Sequence, residues 1–334
     1  MANKTDFVTS FWKEKYLDEY IARGGSKIKF VTGSSGSGKT ALLTAFSNAA
    51  NSAGQSFVVA NLSAKTTWLH DFKEIYTAVL SKADVIACLG QIADKIISEL
   101  GYEPKDIPAG MSFTDYLASA GQLDPITKRE IRVQLNRIFM ENPLIDNNFA
   151  LSCSLITGGI LGHPTLERHN RETLLMWMSG SHEVKLSAMR ALGLSPSRIT
   201  KYNARHMLRS LAEVVTLAGY SGTVITVDDL EQLIKGSGLE EIRYTKMRRD
   251  DAYESIRELI DEIDTLKNIM FVFAFDRSLI DDDDNGIKSY QALWMRIQNE
   301  IEGERFNRFT DIVDMDKLSS CDDGWRKGDR NERL

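Results

Sequence analysis

The chain has 334 residues, 43% of them hydrophobic and 26% charged, with six prolines. That balance suits a globular protein whose core needs no staples, and it excludes low-complexity and collagen-like chains. A net charge of −6 argues against a dominant nucleic-acid surface, although local basic patches stay open. Cys88, Cys153 and Cys321 form no CxxC pair, so neither a zinc framework nor a disulfide scaffold is expected, and a reducing cytoplasm is the expected setting. The first twenty residues lack the apolar core of a signal peptide, and no apolar stretch approaches the roughly 18 residues of a spanning helix. Neither export nor membrane insertion is expected.

In chain order, Phe7, Phe11, Tyr16, Leu17, Tyr20 and Ile21 recur at helical spacing, with Gly24-Gly25 as a stop. A short strand follows at 28–31, then a glycine-rich loop, a helix that runs toward Gly54, and a buried strand at 56–63. Most of the next stretch reads as helix. Asp124-Pro125 has the form of an N-cap followed by an N1 proline, and Asn203 is a second capping candidate, ahead of a face formed by Met207, Leu208, Leu211, Val214 and Val215. Shorter helices are expected at 84–100, 114–120 and 165–178. Apolar strands return at 222–229 and 268–276, separated by a charged helix at 250–266, and a further helix is expected at 289–301. "RFTDIVDM" offers a weaker last strand.

Between the first strand and its helix, Gly33-Ser34-Ser35-Gly36-Ser37-Gly38-Lys39-Thr40 fits G-x-x-x-x-G-K-[ST] at every fixed position. Wrapping a polyphosphate in successive main-chain N–H groups needs torsions and close approaches that a Cβ would obstruct. The helix that follows turns its positive end to the anion. Lys39 is then the residue for the β- and γ-oxygens, and Thr40 a ligand of Mg²⁺.

Hydrolysis needs a second site, and "TVITVDDLEQL" offers one at the end of an apolar strand. Asp228 is the metal candidate, Asp229 the candidate base, and Glu231 stands two places on. "FVFAFD" ends in Asp276, which lacks an acidic neighbour; Asp276, or Arg277 beside it, is a candidate sensor of the γ-phosphate. "DDDDNG" imitates the start of a calcium loop, but Ala292 occupies the place of the required Glu, so a solvated acidic turn is expected. The five histidines show no metal-binding spacing, and no G-x-S-x-G elbow occurs. "RYTKMRR", residues 243–249, reads as a solvated helix start, a nucleic-acid contact or a source of an arginine in trans. Arg190, Arg198, Arg205 and Arg209 in the helical region raise the same alternatives, and Arg296, Arg305 and Arg308 late in the chain are further candidates for an arginine in trans.

As a whole the chain resembles the ATP-binding proteins of bacterial phage-defence systems of the BREX type. The likeness is carried by "YLDEYIARGGSKIKFVTGSSGSGKT", "NARHMLRSLAEVVTLAGYSG" leading into "VITVDDLEQL", "RRDDAYESIRELID" and "GIKSYQALWMRI". The resemblance implies an AAA-like core of the additional-strand class, ATP and Mg²⁺ held through Lys39, Thr40 and Asp228, and a role beside DNA-acting defence partners. One departure stands out: Asp229 occupies a position that is usually Glu, one methylene longer, so turnover is expected to be slow or shared with Glu231.

The resulting expectation is an α/β P-loop NTPase with a parallel sheet and a large all-helical insertion. Residues 1–63 form the N-terminal helix and first part of the core, 64–220 the insertion, 221–318 the rest of the core with its acidic and sensor strands, and 319–334 a tail. The expected activity is a Mg²⁺-dependent ATPase that switches a conformation or an assembly in phage defence, self-associating and meeting other defence proteins, with DNA contacted directly or through them. The alternatives are a nucleotide-gated scaffold with little hydrolysis and, less well supported, a small-molecule kinase.

Overall fold

The computed structural model describes residues 4–52, 56–235, 241–301 and 310–320. Gly54, Arg305, Arg308, Cys321 and the expected tail from residue 321 lie outside the described residues. In chain order come α1 (Lys4–Trp12), β1 (Ser26–Gly33), α2 (Lys39–Ala50), β2 (Phe57–Ser63) and α3 (Phe72–Lys82). Next are α4 (Val85–Glu99), α5 (Phe113–Ser119), α6 (Pro125–Leu135), α7 (Asn147–Leu161), α8 (Arg168–Met178), α9 (Leu186–Ala191) and α10 (Ala204–Ala218). The chain continues with β3 (Gly222–Asp228), α11 (Lys246–Glu262), β4 (Ile269–Asp276), α12 (Ser278–Asp281), α13 (Gln291–Ile301), β5 (Ile312–Asp314) and α14 (Met315–Ser320). It divides into two compact units, Met1–Ile75 with Ser221–Leu334, and Tyr76–Tyr220.

The first unit is built on a five-stranded, all-parallel sheet in the order β2-β3-β4-β1-β5. Such sheets are covered on both faces, so their strands read as continuous apolar runs. In β4, alternation sends Met270, Val272 and Ala274 to one face, where they join Trp12, Leu17, Leu42 and Phe46 in one cluster. Trp12 meets Phe46 edge to face, with ring centroids 5.3 Å apart. The alternate residues Phe271 and Phe273 stack on the opposite face, where Phe30 of β1 lies 5.6 Å from Phe273. The N-terminal helical run is α1, then a wider helical turn at Lys13–Asp18 and a tight one at Ile21–Arg23, and Gly24 ends it in the left-handed conformation, φ 97°.

In the second unit, α4, α7 and α10 pack together. Asp84 caps α4 by accepting from Ala87 N at 3.0 Å, and Asp124, ahead of Pro125, caps α6 by accepting from Thr127 N at 2.6 Å. Asn203 precedes α10, but its side chain makes no cap. Instead its amide oxygen accepts from Thr200 N, and its nitrogen donates to Arg198 O. The capping role read from its position is therefore corrected: the residue folds back to close the loop before the helix. Among the described residues no single helix is long and apolar enough to cross a membrane.

Candidate functional site

In a parallel α/β sheet the loops beyond the carboxyl ends of the strands form the crevice in which ligands sit. Gly33, Asp228 and Asp276 end β1, β3 and β4, and the glycine-loop and acidic residues singled out in the sequence gather there.

The loop from Gly33 to Gly38 turns through glycine torsions. Gly38 precedes α2 at φ 97° and Gly36 sits at φ 78°, a region L side chains avoid. At Gly33 the constraint is space: a Cβ would lie 2.5 Å from Ser37 Oγ. Ser37 N donates to Ser34 O, whereas no protein acceptor among the described residues meets the N–H groups of Ser35, Gly36 and Gly38. The N–H groups of the first turn of α2 are open by construction. Beside them the Ser37 hydroxyl is buried without a partner. A concentration of unanswered donors at a helix start is a cradle for an anion.

Lys39 is buried, 9% exposed, and its ammonium donates to Gly33 O at 2.9 Å and Ser34 O at 2.8 Å. Asp276 Oδ2 lies 3.8 Å from the same nitrogen. Next to it, Thr40 Oγ1 donates to Asp228 Oδ2 at 2.6 Å. A hydroxyl and a carboxylate oxygen side by side suit the octahedral oxygen shell of Mg²⁺. The other oxygen of Asp228 accepts from Asp229 N at 2.8 Å, which fixes the rotamer.

Asp229 and Glu231 are held differently. Asp229 has φ 60°, an unusual conformation for a non-glycine residue. Its carboxylate accepts from Ser63 Oγ at 2.7 Å, at the end of β2, and pairs with Lys65 Nζ at 3.0 Å. The bond to Asp229 holds the Lys65 ammonium above its ordinary value, against the opposing effect of burial. Glu231 accepts from Asp276 N at 2.9 Å, and Lys235 Nζ lies 3.3 Å from its other oxygen. Glu231 thus buttresses the strand end that faces Lys39, while Asp229 carries a lysine partner.

A group that the sequence left unmarked closes the loop from the β5 side. Asp316 accepts from both Ser34 N and Ser34 Oγ at 2.8 Å. Arg277 pairs with Asp314 and lies 3.5 Å from Asp316, and Arg277 N donates to Gly33 O at 3.1 Å. Burial works to raise the Asp316 carboxyl, but the Ser34 bonds and the Arg277 charge outweigh it and hold the group below the usual carboxylate range. Arg277 is correspondingly raised, first by its bond to Asp314. Of the two sensor candidates, Asp276 faces Lys39, and Arg277 is committed to Asp314 and Asp316.

The two charged motifs set aside in the sequence meet each other. Arg249 is 9% exposed and donates to Asn285 Oδ1 at 2.9 Å; Tyr253 OH donates to Asn285 O at 2.9 Å. "RYTKMRR" is thus not simply a solvated helix start. Tyr244 is buried, with its hydroxyl donating to Thr67 O at 2.9 Å, and the Arg248 guanidinium lies 4.5 Å from the centre of the Trp68 ring. In the acidic turn Asp283 and Asp284 are exposed, but Asp282 accepts from Asp284 N and Asn285 N and shapes the turn that receives α11. Among the described residues no three His, Cys, Asp or Glu side chains cluster to hold a metal.

An all-parallel α/β sheet with a glycine loop between its first strand and the following helix is consistent with a P-loop NTPase-like fold. The chain belongs to the family of the BREX system ATP-binding protein BrxC/D, whose family model matches residues 14–320. A comparison with curated proteins finds no match.

Proposed function

We propose that this family member is a P-loop ATPase of the additional-strand type that uses ATP as a conformational or assembly switch within phage defence. The contact that carries the reading joins Thr40 to Asp228 across 188 residues of sequence, beside the buried Lys39. The position of β4 between the loop strand β1 and the acidic strand β3 supports the additional-strand type.

The open N–H groups of the loop and of the first turn of α2 would take the phosphates, and Lys39 would exchange its carbonyl partners for phosphate oxygens. Thr40 and Asp228 would hold Mg²⁺, which supplies charge neutralisation on the β- and γ-oxygens when bound. Asp276 keeps the Lys39 ammonium oriented, and Glu231 holds the Asp276 backbone. Asp229 is the general base of this reading once its carboxylate leaves Lys65; in the arrangement described, its proton-accepting oxygens are occupied.

That occupation supports a second reading, a nucleotide-gated scaffold with little hydrolysis. Single-turnover cleavage of ATP by wild type, Asp229→Asn and Asp229→Glu separates the two. Loss with Asn and retention with Glu support the ATPase, whereas an unchanged rate with Asn supports the scaffold. Titration with a fluorescent ATP analogue tests the shared premise, and binding that survives Lys39→Ala would sink both readings.

Self-association and defence-system partners belong to the same proposal. An arginine from a neighbouring subunit would complete the site. Arg296 is already paired, Nε to Asp261 at 2.6 Å and Nη2 to Asp261 at 2.7 Å. Light scattering with and without a non-hydrolysable ATP analogue reads whether nucleotide drives assembly.

A further inference from the structure

Residues 184–212 contain six Lys or Arg and no Asp or Glu, in a chain whose net charge is −6. Random placement of an acidic chain's charges does not favour such a segment, and its fold separates two tasks within it. Buried groups hold the backbone. Asn148 Nδ2 donates to Ser195 O and Ser197 Oγ at 3.0 Å each, and its amide oxygen accepts from Ser195 N at 2.9 Å. Trp177 Nε1 donates to Ser197 O at 2.8 Å, and Leu194 and Ile199 are buried. Asn203 then ties Thr200 N to Arg198 O from the other end of the loop.

What α9 and this anchored loop present outward is cationic and aromatic. Lys185, Arg190 and Arg198 are exposed and meet no carboxylate within ion-pair distance among the described residues. Tyr202 is 81% exposed, and the Lys201 ammonium lies 5.4 Å from the centre of its ring. An aromatic ring of that size left in water on an anchored loop adds little buried area to the fold. Cations that follow a phosphate backbone, with an aromatic face on which a base can lie, are the two parts of a single-strand binding surface.

We propose that α9 and the loop between it and α10 bind single-stranded nucleic acid, with Arg190 of the helix and Arg198 and Lys201 of the loop on phosphates and Tyr202 stacked on an unpaired base. The surface lies within the helical unit, and the proposal does not rest on the nucleotide site.

The test uses the full chain and a fluorescein-labelled DNA of about 20 nucleotides, as a single strand and as the duplex, read by anisotropy between about 50 and 200 mM salt. Tyr202→Ala is expected to weaken single-strand binding by about 5- to 100-fold without changing its salt slope or the duplex affinity. Arg198→Ala with Lys201→Ala is expected to lower the slope of log K against log salt by about 0.7 for each cation removed. Tyr202→Phe and Arg198→Lys should retain binding. Photocrosslinking of the strand to wild-type chain should map to residues 198–205. Unchanged binding in the Tyr202→Ala or the double variant, a duplex preference insensitive to Tyr202, no binding to either DNA, or a crosslink mapped elsewhere would each overturn the proposal. ATP-analogue binding in the same preparations reports on the nucleotide site separately, so failure of one reading leaves the other distinguishable.

Discussion

Thr40 and Asp228 share a hydrogen bond of 2.6 Å although one opens α2 and the other closes β3. The bond brings together the two oxygens proposed to hold Mg²⁺. Replacing Thr40 with Val removes the hydroxyl at nearly constant volume. The Mg²⁺ concentration needed for half-maximal ATP-analogue binding is expected to rise by about tenfold or more, with Asp228→Asn behaving alike. Nucleotide titrations at several Mg²⁺ concentrations read this directly, and an unchanged Mg²⁺ requirement in both variants would remove the metal assignment.

Asp229 is held by Ser63 and Lys65. Lys65→Met removes the ammonium but keeps much of the stem. Freed from that partner, Asp229 is expected to raise the single-turnover rate by about two- to fivefold, the range of a part-exposed ion pair. A fall in rate would instead assign Lys65 to the reaction itself.

The Asp316 carboxyl has its folded pKa below the ordinary value of 3.8. Its contribution is therefore complete above that ordinary value and is lost as pH falls through the depressed folded one. Urea midpoints of wild type and Asp316→Asn are expected to differ at pH near neutrality and to converge in acid. A difference that grows as pH falls contradicts the Ser34 and Arg277 contacts as its source.

Two glycines make opposite tests. Gly38 has φ 97° with nothing nearer than 3.7 Å to an added Cβ, so Gly38→Ala suffers from torsion rather than collision. A loss of about 1–2 kcal/mol in stability, together with weakened ATP-analogue binding, is expected. Gly90, inside α4, has open space around an added Cβ. Gly90→Ala is expected to gain about 0.5–1 kcal/mol, with nucleotide binding untouched; thermal denaturation reads both.

Asn148 makes three bonds to the segment ahead of α10. Asn148→Ala leaves the Ser195 carbonyl and N–H without these partners and is expected to cost about 1–3 kcal/mol in urea unfolding. A neutral outcome would mean that the loop finds other partners.

The sheet was legible because parallel strands buried on both faces leave unbroken apolar runs, as in "NIMFVFAFD". Five helices of the described residues were not marked individually, and α7 and α3 are the longest of them. α7 is buried at Phe149, Ala150, Cys153, Ile156 and Thr157, so it is apolar almost all round and leaves no polar face to mark a period. α3 follows a turn-rich stretch, but its buried residues, Phe72, Ile75, Tyr76 and Val79, recur at i, i+3, i+4 and i+7, so its period is present in the sequence. In the candidate site, Lys39, Thr40, Asp228 and Asp276 were readable because glycine torsions and strand ends leave local signatures. Ser63, Lys65 and Asp316 were not, since each acts on a partner more than 160 positions away, nor was Asp314, whose partner Arg277 lies 37 positions away; no local pattern encodes a tertiary contact. The pairing of Arg249 with Asn285 was hidden for the same reason.

β2 and β3 run parallel in full register, from Phe57 beside Gly222 to Ser63 beside Asp228. The polypeptide leaves the sheet at one end of this ladder and must come back at the other, about 20 Å away at 3.3 Å per residue. No tight turn can close that gap, and excising the helical unit would require a substitute crossover of at least about a dozen residues. During synthesis the carboxylate that meets Thr40 emerges only after the entire detour has been made. Assembly of the proposed nucleotide pocket thus waits on the return path being complete.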